Sequence, residues 1–222
     1  MNIIFEDYYL LAINKPAGLS SERGLGKHPS AETDALLYFT QQLQQASSSK
    51  RLKTTPFLRL VHRLDRPTSG ILLMAKTKTA LADLMLQFEQ REAQKIYHAM
   101  TERKPATSEG TLKNWLGKDE TGKKSAIREK EGRGIQKAEL SYTTLPSKGA
   151  GALLEVQPVT GRFHQIRAQL AHIGCPVVGD VLYGAKPWRE HEIKLHAQRL
   201  TFRHPKSGEV MTLECPATWE EL

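Results

Sequence analysis

The feature that most limits what this chain can fold into is a succession of short apolar runs, each of strand length and closed by polar or turn-forming residues. Ile3–Phe5, Leu10–Ile13, Phe57–Val61 and Ile71–Ala75 are such runs, and Lys95–Met100 alternates with a period of two. Residues 138–144, 151–158, 194–203 and 209–214 read as further strands. Helical spacing is confined to three stretches. Residues 78–91 carry Leu81, Leu84, Met85 and Phe88 at three- and four-residue steps. Residues 33–45 set Leu36, Leu37, Thr40 and Leu43 on one face behind Thr33 as a cap, and 163–173 follow a glycine turn. Strands in series with few helices between them predict an α+β fold, a mostly antiparallel mixed β-sheet core flanked by helices.

Length and composition set the outer bounds. A chain of 222 residues with 39% apolar side chains suits a single domain that can divide into two lobes. No run of about 18 apolar residues exists to span a membrane, and the start, Met1–Asp7, has no secretory pattern. Cys175 and Cys215 stand alone, which predicts reduced thiols in a cytoplasmic protein and leaves a disulfide between them open. Lysine and arginine number 32 against 24 acids, a formal charge of +8. Such a surface attracts polyphosphates such as RNA, or an anionic membrane, and serves solubility alone equally well. Residues 46–53 read as a polar loop, and 117–137, rich in Gly, Lys, Arg and Glu, as a solvated, partly disordered basic insertion or hairpin tip.

Two polar blocks stand out against this frame. The first, His62-Arg63-Leu64-Asp65-Arg66-Pro67-Thr68-Ser69-Gly70, lies between two apolar runs. A carboxylate set between two arginines on such a loop can act as a nucleophile or an electrostatic stabiliser, or simply fasten the strands. The second is Thr160-Gly161-Arg162-Phe163-His164-Gln165-Ile166-Arg167, where Arg162, His164, Gln165 and Arg167 offer donors for phosphates and base edges at a helix start. Tyr97 shares a strand face with Lys95 and Ala99, either as a core aromatic or as a ring at a cleft. No HExxH, GxxxxGK[ST], helix-opening GxGxxG or GxSxG pattern occurs, so a metal, a nucleotide cofactor or a hydrolase elbow is not indicated.

The first block resembles the signature of RluA-type pseudouridine synthases, and others follow in order. Asn14-Lys15-Pro16-Ala17-Gly18 resembles that family's N-terminal loop, Lys95–Ala99 its tyrosine strand and Gly161–Arg167 its arginine helix. Val178-Gly179-Asp180, Tyr183-Gly184 and Leu195-His196-Ala197 resemble its C-terminal elements, so the similarity runs from about residue 10 to 215. The resemblance implies a single two-lobed catalytic domain over 1–222, with a central cleft and no accessory RNA-binding domain ahead of it. It implies Asp65 as the catalytic aspartate, Tyr97 as the ring that stacks on uracil and helps remove its carbon-5 proton, and Arg162 as the basic residue paired with the aspartate. Arg63 would fill the space left by a flipped nucleotide and Leu195 would wall the pocket. His62, Arg66, His164, Gln165 and Arg167 are expected to contact substrate too. The implied reaction isomerises uridine in tRNA or ribosomal RNA by base flipping, with no cofactor, no metal, no membrane and no obligate protein partner, in a monomer. The alternatives are a non-catalytic RNA-binding protein on the same scaffold and a glycosidase that releases the base.

Overall fold

The computed structural model describes residues 1–24, 29–46, 55–147, 149–217 and 219. Most of the polar loop expected at 46–53 lies outside the described residues. In chain order the elements are β1 (Asn2–Glu6), β2 (Leu10–Lys15), α1 (Ala31–Ala46), β3 (Arg59–Leu60), β4 (Ser69–Ala75), α2 (Lys78–Glu89) and β5 (Gln94–Thr101). There follow β6 (Glu109–Lys118), β7 (Ser125–Arg128), β8 (Gln136–Leu145), β9 (Ala152–Pro158), α3 (Gln165–His172), β10 (Leu195–Arg203) and β11 (Val210–Glu214). Every strand pairing whose register is described is antiparallel, and the fold is α+β as the run of strands predicted. The chain forms two compact units, residues 1–93 with 200–215 and residues 94–199 with 216–222.

In the first unit β2 pairs with both β1 and β4, from Leu10↔Ala75 to Lys15↔Gly70. Asp7 shapes the β1–β2 turn by accepting from the backbone N–H groups of Tyr9 and Leu10 at 2.8 and 2.6 Å. Leu72, Leu73, Met74 and Ala75 are fully buried, which is why β4 reads as a continuous apolar run rather than an alternating one. Leu10, Ala12, Ile71 and Leu73 pack with Leu84 of α2 and with Leu200 and Phe202. The Thr77 hydroxyl accepts from Ala80 N–H at 3.1 Å and starts α2 where the sequence predicted it.

Helix α1 departs from expectation at its start. Its cap is Ser30, not Thr33, because the Ser30 hydroxyl accepts from Thr33 N–H at 3.2 Å and Thr33 already lies inside the helix. Ala31 and Ala35 form its buried edge; of the expected face Leu36, Thr40 and Leu43 are half-buried and Leu37 is exposed.

The second unit is built on the strand order β5-β9-β8-β6-β7. Its core joins Ala99, Leu140, Leu154 and Val156 of the strands to Ile166 and Leu170 of α3 and to Leu195. Strand β6 has no clear alternation in the sequence, since two of its inward positions are Gly110 and Asn114. Both have a physical reason: a Cβ at residue 110 would stand 2.9 Å from the Tyr142 hydroxyl, and Asn114 accepts from Gln169 of α3 at 2.8 Å. The basic segment 117–137 is an ordered hairpin for its first half, with Trp115↔Arg128 to Lys118↔Ser125 paired and the turn closed by Asp119 N–H to Lys124 at 2.9 Å.

Candidate active site

In the first unit the loop between β3 and β4 carries Asp65, half-buried, and the segment after β2 clamps it. Ser21 brackets the residue before: its hydroxyl donates to Leu64 C=O at 2.7 Å and accepts from Leu64 N–H at 3.0 Å. Gly18 brackets the residue after, its N–H donating to Arg66 C=O at 2.9 Å while its C=O accepts from Arg66 Nε at 2.9 Å. Thr68 N–H closes the turn onto Asp65 C=O at 3.0 Å. Three backbone attachments around one residue leave the carboxylate on a stiff support.

Lys15 is the third part of the clamp and the one whose role the sequence hid. Its side chain is fully buried, and Nζ donates to the carbonyls of Pro16, Leu19 and Arg66 at 2.9, 2.8 and 3.3 Å. Burial lowers its pKa to about 8, against the attraction of the Asp65 carboxylate. The signal was present: Lys15 falls on the same face of β2 as Leu11 and Ile13, where strand alternation calls for an apolar residue.

The other expected residues of this loop divide by environment. His62 Nε2 accepts from Leu73 N–H at 3.2 Å, so that nitrogen carries no proton, and its ring stacks on Phe88 at 5.2 Å. His62 therefore fastens the loop to β4 and α2. Arg63 is exposed and pairs with exposed Glu22 at 2.7 Å, an arrangement an incoming phosphate can compete with at little cost. Arg66 is exposed beyond its bond to Gly18.

In the second unit Tyr97 lies on β5 opposite Val156, half-buried, and packs against the cluster that contains Leu195. Tyr97 and Leu195 thus share one apolar neighbourhood. Lys95, two residues earlier on the same face, extends over the Arg162 turn: its Nζ lies 3.7 Å from where a Cβ of Gly161 would be. Burial lowers its pKa as well. Arg162 is half-buried, with Nε donating to Lys137 C=O at 3.1 Å.

Two of the expected substrate contacts, Gln165 and Arg167 on α3, are buried. Gln165 is 4% exposed, and its amide is taken up within the turn. Oε1 accepts from Thr160 Oγ1 at 2.7 Å and Arg162 N–H at 3.0 Å, and Nε2 donates to Glu139 C=O at 3.0 Å. Arg167 is 3% exposed, with Nε and Nη2 forked onto Asp180 at 2.7 and 2.8 Å. Gln165 braces the turn that presents Arg162, and Arg167 ties α3 to Asp180. His164 adopts a left-handed conformation, φ 50°, stacks on Phe163 with centroids 3.8 Å apart, and places Nδ1 3.2 Å from the Tyr183 hydroxyl.

The first unit holds a carboxylate on a stiff loop, the second holds a half-buried tyrosine and an arginine on a braced turn, and the α+β fold that carries them is one seen in pseudouridylate synthase domains. Human RNA Pseudouridylate Synthase Domain Containing 4 superposes with a TM-score of 0.76 at 27% identity, over 97% of this chain and 88% of that one. The family model described as RNA pseudouridylate synthase matches residues 9–172, and the chain belongs to that family, in its RluA-type branch. It is an RNA pseudouridine synthase, an isomerase. Among curated relatives, a tRNA pseudouridine synthase C of Vibrio parahaemolyticus is 32% identical over all of this chain and 93% of its own length. A ribosomal large subunit pseudouridine synthase C of Yersinia pestis is 34% identical over 96% of this chain and 65% of its own. Among the described residues no helix is long and apolar enough to cross a membrane.

Proposed function

We propose that this enzyme converts specific uridines of tRNA or ribosomal RNA to pseudouridine, with Asp65 as the catalytic carboxylate. The observation that carries this reading is the clamp of Lys15, Gly18 and Ser21 on the backbone either side of Asp65. A glycosyl rearrangement needs a carboxylate fixed near the anomeric carbon, and a side chain on a stiff loop meets that need. Similar proteins are named for tRNA and for the large ribosomal subunit, which frames the two substrate classes.

The target uridine leaves its stack at a cost of a few kcal/mol, which basic surface and stacking offset. Asp65 acts on the ribose-bound uracil so that the bond from C1′ to N1 breaks. The base turns, and its carbon 5 joins C1′. The proton lost from carbon 5 is balanced by one taken up at N1, so the RNA gains and loses no atoms. Tyr97 stacks on the uracil and takes part in removing the carbon-5 proton, Arg162 supplies positive charge, and Arg63 takes the place of the flipped base.

Transcripts of tRNA and ribosomal RNA carrying tritium at carbon 5 of uridine give the test. Wild-type protein releases tritium and leaves pseudouridine at a defined site, while Asp65→Asn binds the RNA and releases none. Normal turnover by the Asn variant removes Asp65 from the mechanism. Release of free uracil without pseudouridine points instead to base excision.

A further inference from the structure

Phe163 is the one exposed phenylalanine among the described residues, 45% exposed, and it sits beside Arg162. A single exposed ring is ordinary on a protein surface. What surrounds this one is not. The His164 imidazole lies against it, 3.8 Å between centroids and 24° between planes, and the Lys118 ammonium stands 5.7 Å from its centroid. Lys118 and Lys137 are exposed on the strands that flank the turn.

The backbone holds the ring outward. His164 is in the left-handed region, which a side chain-bearing residue adopts at some cost, and this fixes the direction in which the chain leaves residue 163. The buried Ser125 hydroxyl donates to Phe163 C=O, and Ser125 N–H donates to Tyr183 Oη at 2.8 Å. The β6–β7 hairpin and the Phe163 turn are thereby joined. A rigid aromatic face with a cation beside it is the combination that holds an unpaired nucleobase and a phosphate.

We propose that Phe163, backed by His164 and with the Lys118 ammonium beside it, is a stacking site for an unpaired base of the RNA, separate from the residue that stacks on the target uracil. The inference deepens the pseudouridine-synthase reading and names a second subsite in its RNA-binding surface. The stack needs an aromatic ring at residue 163, whereas the hydrogen bonds of the Arg162 turn do not involve that side chain.

The probe is a fluorescein-labelled adenosine 12-mer, which offers no uridine to isomerise, beside an abasic ribose-phosphate 12-mer of equal charge. Binding to the full chain is read by anisotropy. Phe163→Ala weakens the adenosine 12-mer by about 5- to 160-fold, the range of one stacked base, and leaves the abasic one within about twofold. Phe163→Trp restores binding, and its fluorescence is quenched by the adenosine 12-mer only. Equal affinity of wild type and Phe163→Ala for the adenosine 12-mer overturns the proposal, as does full affinity in Phe163→Leu, which keeps apolar area without a π face. Tritium release from the uridine-labelled transcripts is scored separately. Stacking without release sinks the assigned reaction but not the subsite, and release without stacking does the reverse.

Discussion

The loop that carries Asp65 and the turn that carries Arg162 are both fastened by buried polar side chains, but by opposite electrical means. In the first unit a single ammonium, Lys15, is buried among backbone carbonyls. In the second a neutral amide, Gln165, makes the direct bonds, and behind it Arg167 and Asp180 bury two matched charges. A cation set among carbonyl dipoles stays partly uncompensated, so the cost of holding it depends on its protonation. A guanidinium forked onto a carboxylate keeps its compensation across the neutral range. The lesson is that two equally buried braces are vulnerable to different insults: one to pH, the other to loss of a partner.

Loss of a partner is the largest effect expected. Asp180→Asn leaves the Arg167 charge buried without its counter-charge, and stability falls by about 3–5 kcal/mol, read from urea unfolding. The double variant Arg167→Met/Asp180→Leu recovers much of that loss, because no charge is stranded. A loss below about 1 kcal/mol for Asp180→Asn would place the pair with ordinary surface bridges and erase the contrast.

The effect of pH on Lys15 comes next. Its pKa is about 8 in the folded chain against 10.5 ordinarily, so between those values the unfolded chain holds a proton that the folded chain has released. Stability from this group therefore rises with pH across that window, by about 3 kcal/mol in total, and is flat below it. The difference in unfolding free energy between wild type and Lys15→Met, followed from pH 7.5 to 10.5, isolates the term. A difference that stays constant would show that the buried amine is already compensated, and the two braces would then be alike.

The same contrast explains what could be read in advance. Helix α2 and the apolar run of β4 are visible because burial there is purely apolar, and periodicity reports apolar burial. Asp65, Tyr97 and Arg162 were nominated through ordered motifs. What stayed hidden is polar burial. Gln165 and Arg167 look like surface or ligand-binding residues in a sequence, and only their partners reveal them as internal; for Lys15, whose bond to Arg66 spans 51 positions, strand alternation alone hints at burial. Strand β6 was missed for the same cause, since Gly110 and Asn114 face inward to fit Tyr142 and Gln169. Ser30 and Thr33 can both cap, and only the observed helix start decides for Ser30.

Gln165→Leu gives a smaller effect that sharpens the comparison. It removes an acceptor from Thr160 and Arg162 and a donor from Glu139 while keeping the shape apolar. The expected cost is about 2 kcal/mol in stability, and turnover falls at least about tenfold as the Arg162 turn loosens. Unlike Lys15→Met, the stability difference is the same at every pH from 7.5 to 10.5. A pH-dependent difference would show that a titrating neighbour of the turn is engaged through the amide.

The smallest effect tests whether the Thr68 side chain adds to the clamp on the Asp65 loop made by Lys15, Gly18 and Ser21. Thr68, 2% exposed, donates its N–H to Asp65 C=O, yet its hydroxyl oxygen is buried without a hydrogen-bond partner among the described residues. Replacing an unsatisfied hydroxyl by a methyl forfeits no bond and removes a desolvation cost, so Thr68→Val changes stability by less than about 1 kcal/mol, in the stabilising direction. A loss of about 2 kcal/mol would mean that the Thr68 hydroxyl completes the clamp beside the Ser21 hydroxyl, and the loop would then lean on neutral side-chain bonds more nearly as the Arg162 turn does. Unchanged stability with a fall in turnover would instead direct the hydroxyl at the RNA, since a group idle in the folded chain can matter only to what binds beside Asp65.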